Sequence, residues 1–250
     1  MKKLILYTLL LTISFSSAQK KELRNANKFF TSGEYASAID LLDSSEEIFD
    51  SSDDKIKSQA MLLYGKLHTA MEDFELAMKA FDMSKNLGIS DQLLNPEITK
   101  LENSLITSAV GDNETENFLS AAKKLKMVYD INEKNNAEYL YYAASSAVNS
   151  QDYPTALEYY QELRDIKYEG IETKFYVTEV SSGNEIEINS RTEFQLLLKS
   201  KDYSNPREEE TESKFPEIVK NIALIYKELG LEYCSRDVFL TWPIFVAIIT

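Results

Sequence analysis

Four times along the chain an aromatic residue is followed by alanine three positions later and by a large apolar residue seven positions later. The sets are Tyr35/Ala38/Leu42, Phe74/Ala77/Phe81, Phe118/Ala121/Leu125 and Tyr153/Ala156/Tyr160. Offsets of three and seven place all three side chains on one stripe of an α-helix, with the small residue where a neighbouring helix approaches closely. The aromatics recur at spacings of 39, 44 and 35 residues. A period of that length, carried by helices that cannot each bury their own apolar face, predicts stacked helical hairpins. Arrays of this kind build binding surfaces more often than catalytic sites.

The 250 residues suffice for one or two compact domains or one extended array. Only seven glycines and five prolines argue against a loop-rich chain, and 44% apolar residues can fill a core. The net charge of −14 excludes the electrostatic footprint of a nucleic-acid binder. It equally excludes a basic patch for anionic lipid.

The first 18 residues read as a signal peptide. Lys2 and Lys3 form a positive start, Leu4 to Phe15 an apolar run, and Ser16-Ser17-Ala18 a small-residue cleavage site before Gln19. The run is short of the roughly 20 residues that span a bilayer. Cleavage removes both lysines and takes the net charge from −14 to −16. No cysteine follows for a lipid anchor, so the expected location is periplasmic or extracellular. Cys234 is the single cysteine, so folding rests on helix packing and not on an internal disulfide.

The predicted hairpins run over about 21–49, 57–87, 96–129 and 137–165. Ser32-Gly33 and Ser150-Gln151-Asp152 supply tight turns, Gly65 a close helix contact, and Ala143 and Ala144 small residues. Asn95-Pro96-Glu97 predicts a helix start with proline in the first turn. Gly111-Asp112-Asn113 predicts a break.

These residues resemble the tetratricopeptide repeat, a helix-turn-helix unit of 34 residues. Ala26, Gly33, Tyr35, Ala38 and Leu42 match its small, turn, aromatic, small and large positions in the first hairpin. Gly65, Phe74, Ala77 and Phe81 match in the second, and Ala144, Tyr153, Ala156 and Tyr160 in the fourth. The chain departs from the family where alanine is usual late in the second helix, offering Ser45, Ser84, Val128 and Leu163. The spacings of 39 and 44 also exceed the family length. The resemblance covers about Lys21 to Asp165 and the helix near Ile218 to Gly230, which sets the repeat domain at 19–168, and it implies an all-α fold, a right-handed α-solenoid of such hairpins.

After Gly170 the pattern changes. Phe175 to Val180 and Ile186 to Ile188 flank Ser181-Ser182-Gly183-Asn184 and predict a small β-hairpin near 175–188. A helix is expected over about 192–200, then a polar loop from Ser204 to Glu210, so 169–214 forms an insertion. Ile218, Ile222, Ala223, Ile225 and Tyr226 predict the first helix of a degenerate fifth repeat over 215–230. Its partner helix would need an aromatic and a small residue where Glu232 and Ser235 stand, and Pro243 interrupts the apolar run that follows. Residues 231–250 therefore read as an irregular apolar tail, with a membrane-interfacial or docking segment as the alternative.

Catalytic motifs are wanting. His68 is the only histidine and falls at an interior position of the second hairpin, so a zinc site lacks ligands. Ser52/Lys55 and Ser120/Lys123 have serine-enzyme spacing without the companion Lys-Thr-Gly element. Phosphate loops and dinucleotide fingerprints are missing, and the acidic clusters lack the spacing of a calcium loop. No enzyme, cofactor or metal is expected.

The resemblance implies a concave groove lined by the first helices, here by Leu23, Asn27 and Phe30, then Leu62, Lys66 and Thr69, then Tyr141, Ser145 and Val148. The lining lacks the basic pattern that clamps a C-terminal carboxylate, which favours a protein or peptide partner bound as a strand or helix. No nucleic acid or small-molecule substrate is implied. Membrane association would come only through a partner or the apolar tail. The expected role is a non-enzymatic protein-binding scaffold of the bacterial envelope. The alternatives are a structural subunit of an outer-membrane or glycan-uptake assembly, or an accessory part of a larger enzyme.

Overall fold

The computed structural model describes residues 19–230. The expectations for the leader, 1–18, and the tail, 231–250, lie outside them. The described chain is mostly helical with one three-stranded antiparallel sheet, so the all-α class holds. It divides into two compact units, the boundary falling between Asn132 and Glu133.

The first unit contains helix α1 over residues 19–31, α2 (Tyr35–Ser44), α3 (Glu46–Asp50), α4 (Asp54–Ala70), α5 (Phe74–Asn86), α6 (Asp91–Glu114) and α7 (Phe118–Ile131). The stripe alanines Ala38, Ala77 and Ala121 are fully buried. Leu42, Phe81 and Leu125 are buried beside them. In the α4/α5 pair the backbones come so close that a β-carbon on Gly65 would lie 2.3 Å from the Phe81 ring. Ser84, where the repeat family favours alanine, donates its hydroxyl to the Ser58 carbonyl at 2.7 Å, so its burial costs no unpaired group.

The second unit contains α8 (Ala137–Asn149), α9 (Tyr153–Asp165), strands β1 (Thr173–Glu179) and β2 (Glu185–Ile188), α10 (Arg191–Leu197), β3 (Tyr203–Glu210) and α11 (Phe215–Glu228). Ala156 is fully buried between helices, and Ile218, Ile222 and Ile225 bury one face of α11, which packs on α9.

One turn geometry recurs across both units. Two residues before each stripe aromatic the backbone is left-handed, at Gly33 (φ 78°), Glu72 (φ 62°), Glu116 (φ 60°) and Gln151 (φ 62°). At each the following amide reaches back five residues: Glu34 N–H to Phe29 O, Asp73 to His68, Asn117 to Asp112 and Asp152 to Ala147, at 2.7–3.0 Å. This is the Schellman closure, which satisfies the last helical carbonyls. Only the first copy uses glycine; the others hold a side chain where L-residues lose about 1–2 kcal/mol.

Three local expectations are corrected. Helix α6 begins at Asp91, so Pro96 is its sixth residue and not in the first turn. Leu94 and Leu101, buried on either side of the proline, hold the helix together across the lost hydrogen bond. The same helix runs through Gly111 to Glu114, pinned there by Lys124, whose ammonium meets Asp112 at 2.6 Å. The polar stretch 203–210 is an edge strand, giving the sheet order β2-β1-β3. Its backbone pairs with β1, while Arg207 ties Glu185 and Glu209 and lies over Tyr176. Phe194 of α10 covers the other face against Phe175, Val177 and Ile188. The neck of the insertion closes through Thr211 N–H to Glu172 O and Lys214 N–H to Glu169 O.

Candidate functional site

In the first unit the expected groove residues behave differently from one another. Phe30 on α1 and Lys66 on α4 meet, the ammonium 4.8 Å from the ring centre. Lys66 also reaches Glu97 on α6 at 3.8 Å. Helices α1, α4 and α6 are thus joined by one half-buried row, Phe30–Lys66–Glu97. Its contacts are modest: the ion pair is long, at 3.8 Å, with side chains 23% and 15% exposed, and such contacts near the surface contribute about 1 kcal/mol or less each. An incoming group can displace them at little cost. Asn27 turns its amide onto the Leu23 carbonyl, and Thr69 its hydroxyl onto Gly65 O, so both are satisfied within their own helices. Leu62 is half-buried. Leu23 corrects the expectation: it is only 8% exposed, in the core with Ala26, Ala38 and Leu42, and offers no surface to a partner.

In the second unit Ser145 and Val148 line an open cleft of about 330 Å³ between α8, α9 and α11. Asn149, Tyr153 and Tyr160 contribute from the α8/α9 hairpin. Glu217, Asn221, Leu224, Ile225 and Glu228 contribute from α11. The buried Tyr160 hydroxyl accepts from the Asn221 amide at 3.1 Å and lies 3.3 Å from Ser145 Oγ. Burial raises the Tyr160 pKa against the smaller lowering by these two partners, so the phenol stays neutral.

Tyr141 keeps the partial exposure expected of it, with its ring and hydroxyl both engaged. It is half-buried, with Tyr142, Tyr160 and Tyr168 around its ring and Lys214 Nζ 5.0 Å from the ring centre. Its pKa is raised by burial and by the hydrogen bond to the Glu217 carboxylate. The ring braces α11 through Glu217 and meets Lys214, while part of it stays exposed. Missed by the sequence reading were Glu97 and the α11 residues. The latter were visible as Glu217, Asn221, Leu224 and Glu228, spaced four, three and four apart on one helical face.

His68 stacks on Tyr64 at 6.2 Å, with Nδ1 3.6 Å from Asp73 Oδ2. Tyr64 donates to Asp43 at 2.5 Å. Among the described residues no three His, Cys, Asp or Glu side chains are grouped to hold a metal ion. No helix of the described residues is long and apolar enough to cross a membrane. No protein-family model matches the chain, and no curated protein sequence does.

Proposed function

We propose that the chain is an exported, non-enzymatic protein-binding scaffold, a right-handed solenoid of tetratricopeptide-like hairpins whose first helices carry the binding face. The observation that supports it best is the repeated left-handed turn two residues before each stripe aromatic. Four copies of one closure at the repeat spacing are what a duplicated hairpin leaves behind, even where glycine has been replaced. The faces reached by the first helices support it further. Phe30, Lys66 and Glu97 form a displaceable row in the first unit, and Ser145 and Val148 open onto a cleft in the second. In this reading the signal peptide delivers the chain beyond the cytoplasm, and the insertion at 169–214 decorates the array.

The reading is tested by partner retention from envelope extracts. Val148→Asp and Lys66→Glu should each abolish co-purification of the partner, while Glu158→Lys, an exposed change on α9 away from the cleft, should leave it intact. Retention unaffected by both groove substitutions would contradict the assignment of the binding face.

A further inference from the structure

We propose that the cleft between α8, α9 and α11 takes an extended protein segment carrying a basic side chain on each side of an apolar one. The inference rests on the groove reading above and adds the chemistry of the occupant. Glu217, Asn221, Leu224 and Glu228 all line the cleft from α11. The two carboxylates are separated by eleven residues, about 16 Å at the helical rise of 1.5 Å per residue. An extended chain covers that distance in about five residues, so lysines six apart, which share one face of a strand, can reach both acids with their long side chains. On α11 Leu224, 45% exposed, lies between the acids, and Val148 of α8 lines the same cleft. The cleft therefore offers apolar contacts at Leu224 and Val148, with an acid before and after Leu224 along α11.

Neither carboxylate forms an ion pair with a lysine or arginine among the described residues. Glu217 is exposed and accepts from the Tyr141 hydroxyl. That bond fixes the carboxylate and uses one of its roughly four acceptor positions. Glu228 is the last residue of α11, where the partial negative charge of the helix end disfavours a carboxylate. A cation brought by a partner relieves that repulsion. The Asn221 amide, held by Tyr160, adds a fixed polar edge along the same stripe. The net charge of −14 biases encounters toward cationic segments in the same direction.

The test is fluorescence anisotropy of residues 19–250 with three labelled peptides: GKSLSLSKG, and the same sequence with both lysines replaced by glutamine or by glutamate. The lysine peptide should bind about tenfold or more tightly than the glutamate peptide and should weaken in 0.5 M NaCl. The variant carrying Glu217→Gln and Glu228→Gln should bind the lysine and glutamine peptides alike, with its helix content unchanged by circular dichroism. Glu158→Gln should bind as the parent does. Equal affinity for all three peptides on the parent protein, with loss on Val148→Asp, would overturn the charge preference and leave the groove standing. Binding of none of them at millimolar concentration would overturn the inference, while the partner-retention test decides the groove reading by itself.

Discussion

Gly65→Ala measures how closely α4 and α5 approach. In an open helix this change gains up to about 1 kcal/mol, because alanine loses less backbone freedom on folding. Here the new methyl would lie 2.3 Å and 2.4 Å from two atoms of the Phe81 ring. Ordinary carbon contacts are about 3.5–4.0 Å, so the ring must move by about 1 Å or more. The ring is 1% exposed, so moving it disturbs the packing around it. Overpacking of this kind costs about 1–3 kcal/mol. Gly111→Ala is the control: it lies in the same unit, inside α6, with nothing within 4 Å of the added carbon. The propensity term is common to both, so their difference isolates the packing term, about 1–3 kcal/mol. Urea denaturation followed by helical circular dichroism gives both values on the same transition. Gly65→Ala should lower stability relative to Gly111→Ala, and Phe81→Leu should recover part of the loss. Equal stabilisation by both alanines would refute the close approach.

Further outcomes follow from the other contacts. Gln151→Gly and Glu116→Gly should each stabilise by about 0.5–1 kcal/mol in thermal melts, since both positions hold a left-handed backbone and exposed side chains. Ala156→Leu should destabilise the second unit by about 1–3 kcal/mol, as its site is fully buried. Asp112 gives a pH signature. Burial pushes its pKa up, but hydrogen bonds from Lys124, Ser120 and Asn117 and the Lys124 charge together hold it below the usual value. A depressed folded pKa means stability that is present above the ordinary carboxylate range and is lost as pH falls through the folded value. Stability measured down through about pH 4 and below should therefore fall more steeply in the parent than in Asp112→Asn.

The helical stripes were legible because each element announces its buried face by spacing, and Ala38, Ala77, Ala121 and Ala156 all end fully buried. Pro96 and Gly111 misled because local breakers were weighed without the tertiary contacts that override them: Leu94 anchors the turn before the proline, and Lys124 clamps the helix end beyond the glycine. Strand β3 was invisible because Ser204 to Glu210 has no apolar alternation. It is held by backbone pairing and by charges, among them Arg191 to Glu208 at 3.1 Å. The proposed binding face was partly legible. Phe30, Lys66, Tyr141, Ser145 and Val148 all keep partial exposure, whereas Leu23 is drawn into the core. The cleft itself could not be read from α8 alone, because its acidic wall comes from α11, more than sixty residues further along the chain.

The central claim is that partners dock on the face presented by the first helices. Site-specific photo-crosslinking in intact cells tests it most directly, with the reactive group placed singly at Lys66, Val148 and Leu224 and, for comparison, at Lys126 and Glu158 on second helices. The account predicts discrete adducts of one size from the first three positions and none from the last two. Adducts from Lys126 and Glu158, with none from the first three, would contradict it.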